Sequence, residues 1–275
     1  MKQYITYQDK LNELRLDLSH PKNKNFSFVI VEGDSDIRLF RKLFNLNHCK
    51  VETMPGGNYK VEECVSTFIT TYPLVIGIRD ADFLHLESQP YKKTNMFLTD
   101  YHDMEMMILS EDDVFSALLF EFTTLPQELH QKKREDILLS IEHISFVKWL
   151  NVKENLAIPV ASVNSRNYPN TSDIEEFLTG ILEKSTAPKI TAIELILEKF
   201  NVLKALKPHL MQLCNGHDFL MALSDIVKQS QKGKNVSDES IASTCRVAYT
   251  RAHFQKTSLY EQIVSWSESQ GCTLF

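Results

Sequence analysis

The first hundred residues alternate between short apolar runs and helical patterns, and this alternation constrains the fold more than any other feature. Residues 26–31 and 74–78 are short apolar runs with β-branched content, which predict buried strands. Residues 50–54 and 96–98 predict two further strands, and the segments between the first three strands have helical spacing. Strands separated by single helices indicate βαβ units. We therefore expect an α/β fold with a mainly parallel sheet and flanking helices.

From about residue 110 onward the pattern is helical. Apolar residues recur at helical spacing, for example at residues 193–203, and such stripes are typical of core-facing helices. We expect residues 1–115 to form an α/β domain that contains the sheet. Residues 116–275 are expected to form a mainly helical domain that binds substrate, dimerises or docks on a partner.

The composition, 43% hydrophobic and 24% charged, is that of a globular protein. No apolar run approaches the roughly 18–20 residues that cross a bilayer, and the first residues lack the apolar core of a signal peptide. We therefore expect a cytoplasmic protein without a membrane partner. Five cysteines without a C-x-x-C pair argue against a zinc site or a disulfide framework.

Carboxylates follow two of the predicted strands. Glu32 comes directly after the strand at 26–31, and Asp80 and Asp82 follow the strand at 74–78. Carboxyl ends of parallel strands lie at one edge of the sheet, so these three side chains are expected to converge. Like charges held close together repel one another unless a cation compensates them, and hard divalent cations such as Mg²⁺ prefer oxygen ligands. The sequence therefore predicts a divalent metal site.

A further acidic cluster, Asp100, Asp103 and Glu105, follows the strand at 96–98. The spacing of the methionines beside it is helical, so Asp103 and Glu105 cannot share one helical face. We expect one of the two to reach the metal site and the other to cap the helix. Each acid alone would be better explained as a helix cap or a solvated residue, but their order along the chain favours a site.

The net charge of −6 is unevenly distributed. Residues 1–183 hold 19 Lys and Arg against 28 Asp and Glu, a balance of −9, and residues 184–275 hold 11 against 8, a balance of +3. An acidic net charge opposes nucleic-acid binding, but a metal ion can bridge acidic residues to an anionic substrate. The charge therefore does not exclude a nucleic-acid partner.

The segments at 31–36 and 76–82 resemble motifs of the TOPRIM fold family of topoisomerases, primases and OLD-type nucleases. The first contains Glu-Gly-Asp and the second Asp-Ala-Asp. The Pro-Gly-Gly turn at 55–60, the segment at 99–109 and the Asn-Gly-His-Asp element at 215–218 extend the resemblance. Together they are similar to a bacterial branch that includes the nuclease subunit of the PARIS anti-phage defence system.

The resemblance implies that residues 1–115 are the catalytic domain, and it also implies roles for the acids. Glu32, Asp80 and Asp82 would be the metal-binding and catalytic acids, with Glu105 and Asp103 supporting a second metal. The implied cofactor is Mg²⁺, with Mn²⁺ as an alternative. Two metals can stabilise the attacking and leaving oxygens of an in-line displacement.

The resemblance also implies roles outside the acids. Lys60 would contact the scissile phosphate, although it is equally well explained as a solvated residue at a helix start. No tyrosine module for a covalent DNA link is recognisable, which favours hydrolysis. The only Gly-Lys pair, at 233–234, is followed by Asn, so no P-loop is present. A separate ABC-type ATPase subunit would therefore supply any ATP-driven control.

Basic residues with aromatic neighbours occur in the C-terminal third. Such residues can bind phosphates and stack on unpaired bases, although each one alone is better explained by a solvated helix face. The predicted nucleic-acid-binding residues are Lys228, Lys232, Lys234, Arg246, Arg251 and Lys256.

Together the acids and the resemblance predict a metal-dependent endonuclease, and the resemblance implies that it acts as a toxic effector of anti-phage defence. The resemblance slightly favours RNA, such as tRNA, over DNA as the substrate. A homodimer is an expected assembly, because two sites can engage one substrate. The alternatives are a non-catalytic module that docks on an ATPase and a primase-like nucleotidyl transferase.

Overall fold

The computed structural model describes residues 6–87, 90–158, 163–167, 173–185, 192–230, 232–233 and 235–275. The strands are β1 (Ser27–Val31), β2 (Cys49–Thr53), β3 (Val75–Arg79) and β4 (Met96–Leu98). The helices are α1 (Tyr7–Ser19), α2 (Asp34–Leu43), α3 (Asn58–Phe68), α4 (Met104–Leu109), α5 (Asp112–Phe122), α6 (His130–Glu154), α7 (Ile174–Glu183), α8 (Ile193–Ala205), α9 (Leu210–Leu213), α10 (Gly216–Gln229), α11 (Asp238–Ala248), α12 (Arg251–Phe254) and α13 (Ser258–Gln270).

The strands form a parallel sheet in the order β2-β1-β3-β4. In this order β1 and β3 are the two central strands. Their register pairs Phe28 with Val75 and Ile30 with Gly77. All five residues of β1 and of β3 are buried, which explains why most of their residues, 28–31 and 75–78, form continuous apolar runs in the sequence. The predicted α/β class, with a parallel sheet, flanking helices and a helical C-terminal region, is confirmed.

The chain forms two compact units that are discontinuous in sequence. Of the described residues, those within Met1–Ala81, Gln89–Met104 and Tyr249–Phe275 form the first unit. Those within Asp82–Ser88 and Glu105–Ala248 form the second unit. The predicted domain boundary at residue 115 stays a prediction.

The first unit contains the sheet. Side chains from α1, β1 and α3 pack into one core cluster, in which Leu14, Phe28, Ile30 and Val61 are almost fully buried. Thr6 caps α1 in a reciprocal pair of hydrogen bonds with Asp9, which defines where the first helix begins.

The second unit is helical. Its core cluster is centred on α6 and includes Phe146, Trp149, Phe177 and Phe200. The ring of Phe146 meets that of Phe200 edge-on at 5.7 Å between centroids, so aromatic packing joins α6 to α8. Among the described residues, no helix has the length and apolar character that a membrane span requires.

Candidate functional site

Glu32 and Asp80 lie beside each other at the carboxyl ends of the two central strands. Glu32 follows β1, Asp80 follows β3, and these strands are direct neighbours in the sheet. Glu32 Oε1 accepts a hydrogen bond from the Asp80 amide N–H at 3.1 Å. Both residues are half-buried. The structure therefore brings together two of the three acids that the sequence predicts at this edge.

Asp80 is also tied to the start of α4. Its Oδ1 accepts a hydrogen bond from the Met104 amide N–H at 3.0 Å. This contact gives the carboxylate a fixed orientation, because the strand end holds its backbone and the amide of Met104 holds its side chain. One carboxylate thus joins the end of β3 to the first residue of the helix that follows β4.

Thr99 supports the same loop, and the sequence analysis did not identify it. Its hydroxyl accepts a hydrogen bond from the Ala81 amide N–H at 3.0 Å and donates one to the Tyr101 carbonyl at 2.9 Å. Thr99 directly follows β4 and is 1% exposed. A hydroxyl residue directly after a predicted strand is the only signal that would have pointed to it.

Asp82 is the first residue of the segment Asp82–Ser88, whose described residues belong to the second unit. Its backbone is in the left-handed region, with φ of 48°, which is uncommon for residues other than glycine. Such backbone outliers occur preferentially at functional sites. Its role as a metal ligand stays a prediction.

Asp103 and Glu105 flank the first residue of α4. Asp103 directly precedes the helix and is 8% exposed, whereas Glu105 is half-buried in the first helical turn. Their predicted support of a second metal stays a prediction.

Two other acids within the motif segments cap helices. Asp36 Oδ2 accepts a hydrogen bond from the Gly33 amide N–H at 2.9 Å at the start of α2. The two carboxylate oxygens of Asp100 accept hydrogen bonds from the amides of Ser258 and Leu259, at 2.7 and 2.8 Å, at the start of α13. Negative charge at a helix N-terminus is stabilising, so these acids have structural roles.

Arg79, the residue before Asp80, is almost fully buried and supports the strand end. Its Nε donates to the Asp80 carbonyl at 3.0 Å, and its Nη1 lies 2.7 Å from Glu62 Oε1. Glu62 also accepts hydrogen bonds from Lys93 and Tyr91. Burial opposes ionisation of Glu62, but these donors outweigh it and hold the pKa of Glu62 below its ordinary value. A buried, hydrogen-bonded ion pair therefore anchors the backbone that presents Asp80.

Sequence analysis missed Arg79 and Glu62 because their partnership joins positions 17 residues apart. Neither residue belongs to a recognisable pattern, and an arginine within an apolar strand was the only signal available.

Lys60 lies in the first turn of α3 and has local partners. Its Nζ is 2.6 Å from Glu63 Oε2 and 4.1 Å from the centre of the Tyr7 ring. The hydrogen bond to Glu63 raises the pKa of Lys60, so the side chain remains cationic. Its predicted contact with a scissile phosphate stays a prediction.

The predicted basic residues of the second unit also have partners. Lys228 Nζ is 2.7 Å from Asp238 Oδ1, and Arg246 Nη2 is 3.0 Å from Glu239 Oε1. Lys232 donates to a backbone carbonyl of α5 at 3.3 Å. These contacts within the protein are sufficient to explain why the three positions are basic, even if no ligand binds there. Their predicted role in nucleic-acid binding is untested.

Two of the remaining basic residues lie in the first unit. Arg251 and Lys256 are exposed, and the Arg251 guanidinium lies 5.6 Å from the centre of the Phe275 ring. Lys234 lies outside the described residues. The nucleic-acid-binding role of these three residues stays a prediction.

Comparison with protein-family models found no match, and a search of curated proteins found none either. The resemblance to TOPRIM nucleases therefore rests on the motifs themselves.

The donor chemistry of the Glu32–Asp80 edge fits a hard divalent cation. Both side chains offer carboxylate oxygens, which are the ligands that Mg²⁺ and Mn²⁺ prefer. Hydrogen bonds to backbone amides hold one oxygen of each carboxylate in place. Such contacts orient metal ligands and reduce the cost of assembling a site. Glu32 and Asp80 are therefore the residues that would hold a cation at this edge.

Proposed function

We propose that this protein is a divalent-metal-dependent nuclease whose active site lies at the carboxyl edge of the sheet. The observation that carries the proposal is the contact of Glu32 Oε1 with the Asp80 amide at 3.1 Å. It supports the proposal because the carboxylate of one acid meets the backbone of a second acid, 48 residues away in sequence, where α/β folds bind ligands.

Within this proposal, Glu32 and Asp80 bind the cation, and Asp82 completes the acidic set. A cation bound there would neutralise charge on a phosphodiester and make a bound water more acidic. The chain's own contribution is orientation: Arg79 and Met104 fix the backbone and side chain of Asp80, and the Asp80 amide fixes Glu32. Asp103 and Glu105 are proposed to support a second cation.

The substrate, control and biological role are proposed from the resemblance. RNA, including tRNA, is the preferred substrate over DNA. A separate ABC-type ATPase subunit controls the nuclease, and the activity serves as a toxic effector of anti-phage defence. The exposed Arg251 and Lys256, with the other basic residues of the C-terminal third, would contact the nucleic-acid backbone.

One observation favours a second candidate, a non-catalytic module that docks on an ATPase. Glu32 and Asp80 each accept a backbone hydrogen bond, and such contacts also stabilise loops in proteins without metal sites. On this alternative the acids keep the sheet edge folded and have no catalytic role.

A cleavage assay separates the two candidates. The purified full chain is incubated with labelled tRNA and with labelled duplex and single-stranded DNA, in Mg²⁺, in Mn²⁺ and in EDTA. Glu32→Gln retains an oxygen that can accept the hydrogen bond from the Asp80 amide, so the variant should fold normally. It removes a metal-binding carboxylate, so the cleavage rate should fall at least about 100-fold. Asp34→Asn, an equal charge change at an exposed position two residues away, is the control and should cleave like the wild type.

Metal-dependent cleavage by the wild type and Asp34→Asn, absent in Glu32→Gln, is the outcome expected of a nuclease. Equal background cleavage in all three proteins, with unchanged melting temperatures, would favour the docking module. Nucleotide incorporation on a primed template, without cleavage, would favour the primase-like alternative.

A further inference from the structure

A cavity of about 540 Å³ lies in the first unit at the amino ends of β1 and β3. Its walls come from the end of α1, the short 3₁₀ turn Pro21–Asn23, the residue before β1 and the loop that enters β3. Its volume is within the range of small-molecule sites. Glu32 and Asp80 follow the opposite ends of the same strands, which are about 16 Å long for five residues. The cavity is therefore separate from the acidic edge.

The apolar part of the cavity includes two aromatic side chains. Phe26 and Tyr72 line it, together with Leu18. Phe26 and Tyr72 are half-buried, so each has surface that is not covered by the core. Aromatic side chains can stack on planar rings, including nucleobases.

The polar part of the cavity is basic. Lys24 and His20 line it, and no Asp or Glu is among the described residues that do so. Lys24 is exposed and makes no ion pair or side-chain hydrogen bond within the described part of the chain. His20 Nδ1 accepts a hydrogen bond from the Lys22 amide N–H at 3.2 Å, so Nε2 is the ring nitrogen that carries a proton and can donate. Two donors suited to an anion therefore lie in the same cavity as two aromatic rings.

We propose that this cavity binds a small planar aromatic anion of the nucleoside monophosphate class. The ring would lie against Phe26 and Tyr72, and the phosphate would be held by Lys24 and His20. Because the cavity supplies its own positive charge, binding requires no divalent cation. This distinguishes it from the acidic edge, where a phosphate would need a metal bridge. The inference does not depend on the proposed nuclease activity.

The test is a calorimetric titration of the full chain with adenosine 5′-monophosphate in EDTA, so that metal-bridged binding at the acidic edge is excluded. We expect saturable one-to-one binding with a Kd below about 1 mM. Lys24→Glu should weaken it at least about tenfold, because it replaces a charge-assisted hydrogen bond with repulsion. Lys22→Glu is the matched control: the same charge change two residues away, at an exposed side chain that does not line the cavity.

Two further arms test the ring and the phosphate. Tyr72→Leu keeps an apolar wall but removes the aromatic face, and it should weaken binding by about fivefold or more. Adenosine, which lacks the phosphate, should bind the wild type at least about tenfold more weakly than the monophosphate. The absence of saturable binding to a folded wild type would overturn the proposal. Equal weakening by Lys24→Glu and Lys22→Glu would overturn it as well, since it would indicate non-specific charge attraction.

Discussion

At the scale of single residues, Asp238 shows how local donors control a carboxyl group. Its oxygens accept hydrogen bonds from Arg166, Lys228 and Ser224, the last at 2.6 Å. The hydrogen bonds from Arg166 contribute most, and together the donors hold the pKa of Asp238 well below its ordinary value of 3.8. The side chain is 41% exposed, so solvent screens the pair and its contribution to stability is modest.

The sign of this shift gives a pH dependence. A carboxyl group whose pKa is lower in the folded state stabilises the fold above its unfolded pKa, and this stabilisation is lost as the pH falls through the folded pKa. We therefore expect Asp238→Asn to lower the free energy of unfolding at pH 7, and the difference from wild type to shrink below about pH 4. Urea unfolding at pH 7, 4 and 2.5 measures it.

The matched control is Glu128→Gln, an exposed acid with no side-chain hydrogen bond in the described part of the chain. The free energy of unfolding of this variant should differ little from that of the wild type at every pH. A difference for Asp238→Asn that stays constant from pH 7 to 2.5 would contradict the assignment.

At the scale of elements, two glycines have opposite backbone requirements. Gly57 precedes α3 with φ of 83° and ψ of −176°, a region that is accessible essentially to glycine alone. Gly180 lies inside α7, where an added Cβ meets nothing within 4 Å. The predicted Pro-Gly-Gly turn thus requires a positive φ at Gly57. Gly180, in contrast, lies at a helical position where alanine is more favourable than glycine.

These two positions predict opposite effects of one substitution. Gly57→Ala should lower the free energy of unfolding by about 1–3 kcal/mol, because alanine is strained in that backbone region. Gly180→Ala should raise it by about 0.5–1 kcal/mol, because alanine loses less entropy in a helix. Urea unfolding followed by circular dichroism measures both, and a stabilising Gly57→Ala would show that the turn has another conformation.

The elements of the sheet were predictable because their signals are local. A buried parallel strand is a continuous apolar run, so residues 26–31 and 74–78 predicted β1 and β3 to within one residue at each end. The meeting of Glu32 and Asp80 was also predictable, since parallel strands share a carboxyl edge. The amides that donate hydrogen bonds to these carboxylates were not predictable. The contact with Met104, for example, depends on where α4 begins.

At the scale of the whole molecule, the last 27 residues belong to the same unit as the sheet, although the strands lie far away in the sequence. The Asn45 amide N–H donates to the Leu274 carbonyl at 2.8 Å, and the Phe44 and Phe275 rings stack at 4.9 Å between centroids. Phe254 is fully buried against Phe40. Local patterns predict helices in this segment but not their partners, because such contacts join residues more than 200 positions apart. Sequence analysis therefore could not assign the segment to the first unit.

This grouping predicts the behaviour of a fragment. Residues 1–248 lack the contacts of α12, α13 and the residues after them, so the first unit of the fragment should lose its cooperative unfolding transition. A synthetic peptide of residues 249–275, added in trans, should restore it, whereas a scrambled peptide of the same composition should not. Thermal unfolding followed by circular dichroism measures the effect, and a fragment that melts like the full chain would contradict the grouping.

The central claim is that Glu32 and Asp80 hold a divalent cation at the carboxyl edge of the sheet. The most direct measurement is Mn²⁺ binding by calorimetry and electron paramagnetic resonance, for wild type, Glu32→Gln and Asp34→Asn. The account predicts that Glu32→Gln weakens binding at least about tenfold and that Asp34→Asn binds like wild type. Equal Mn²⁺ affinity in wild type and a correctly folded Glu32→Gln would contradict it.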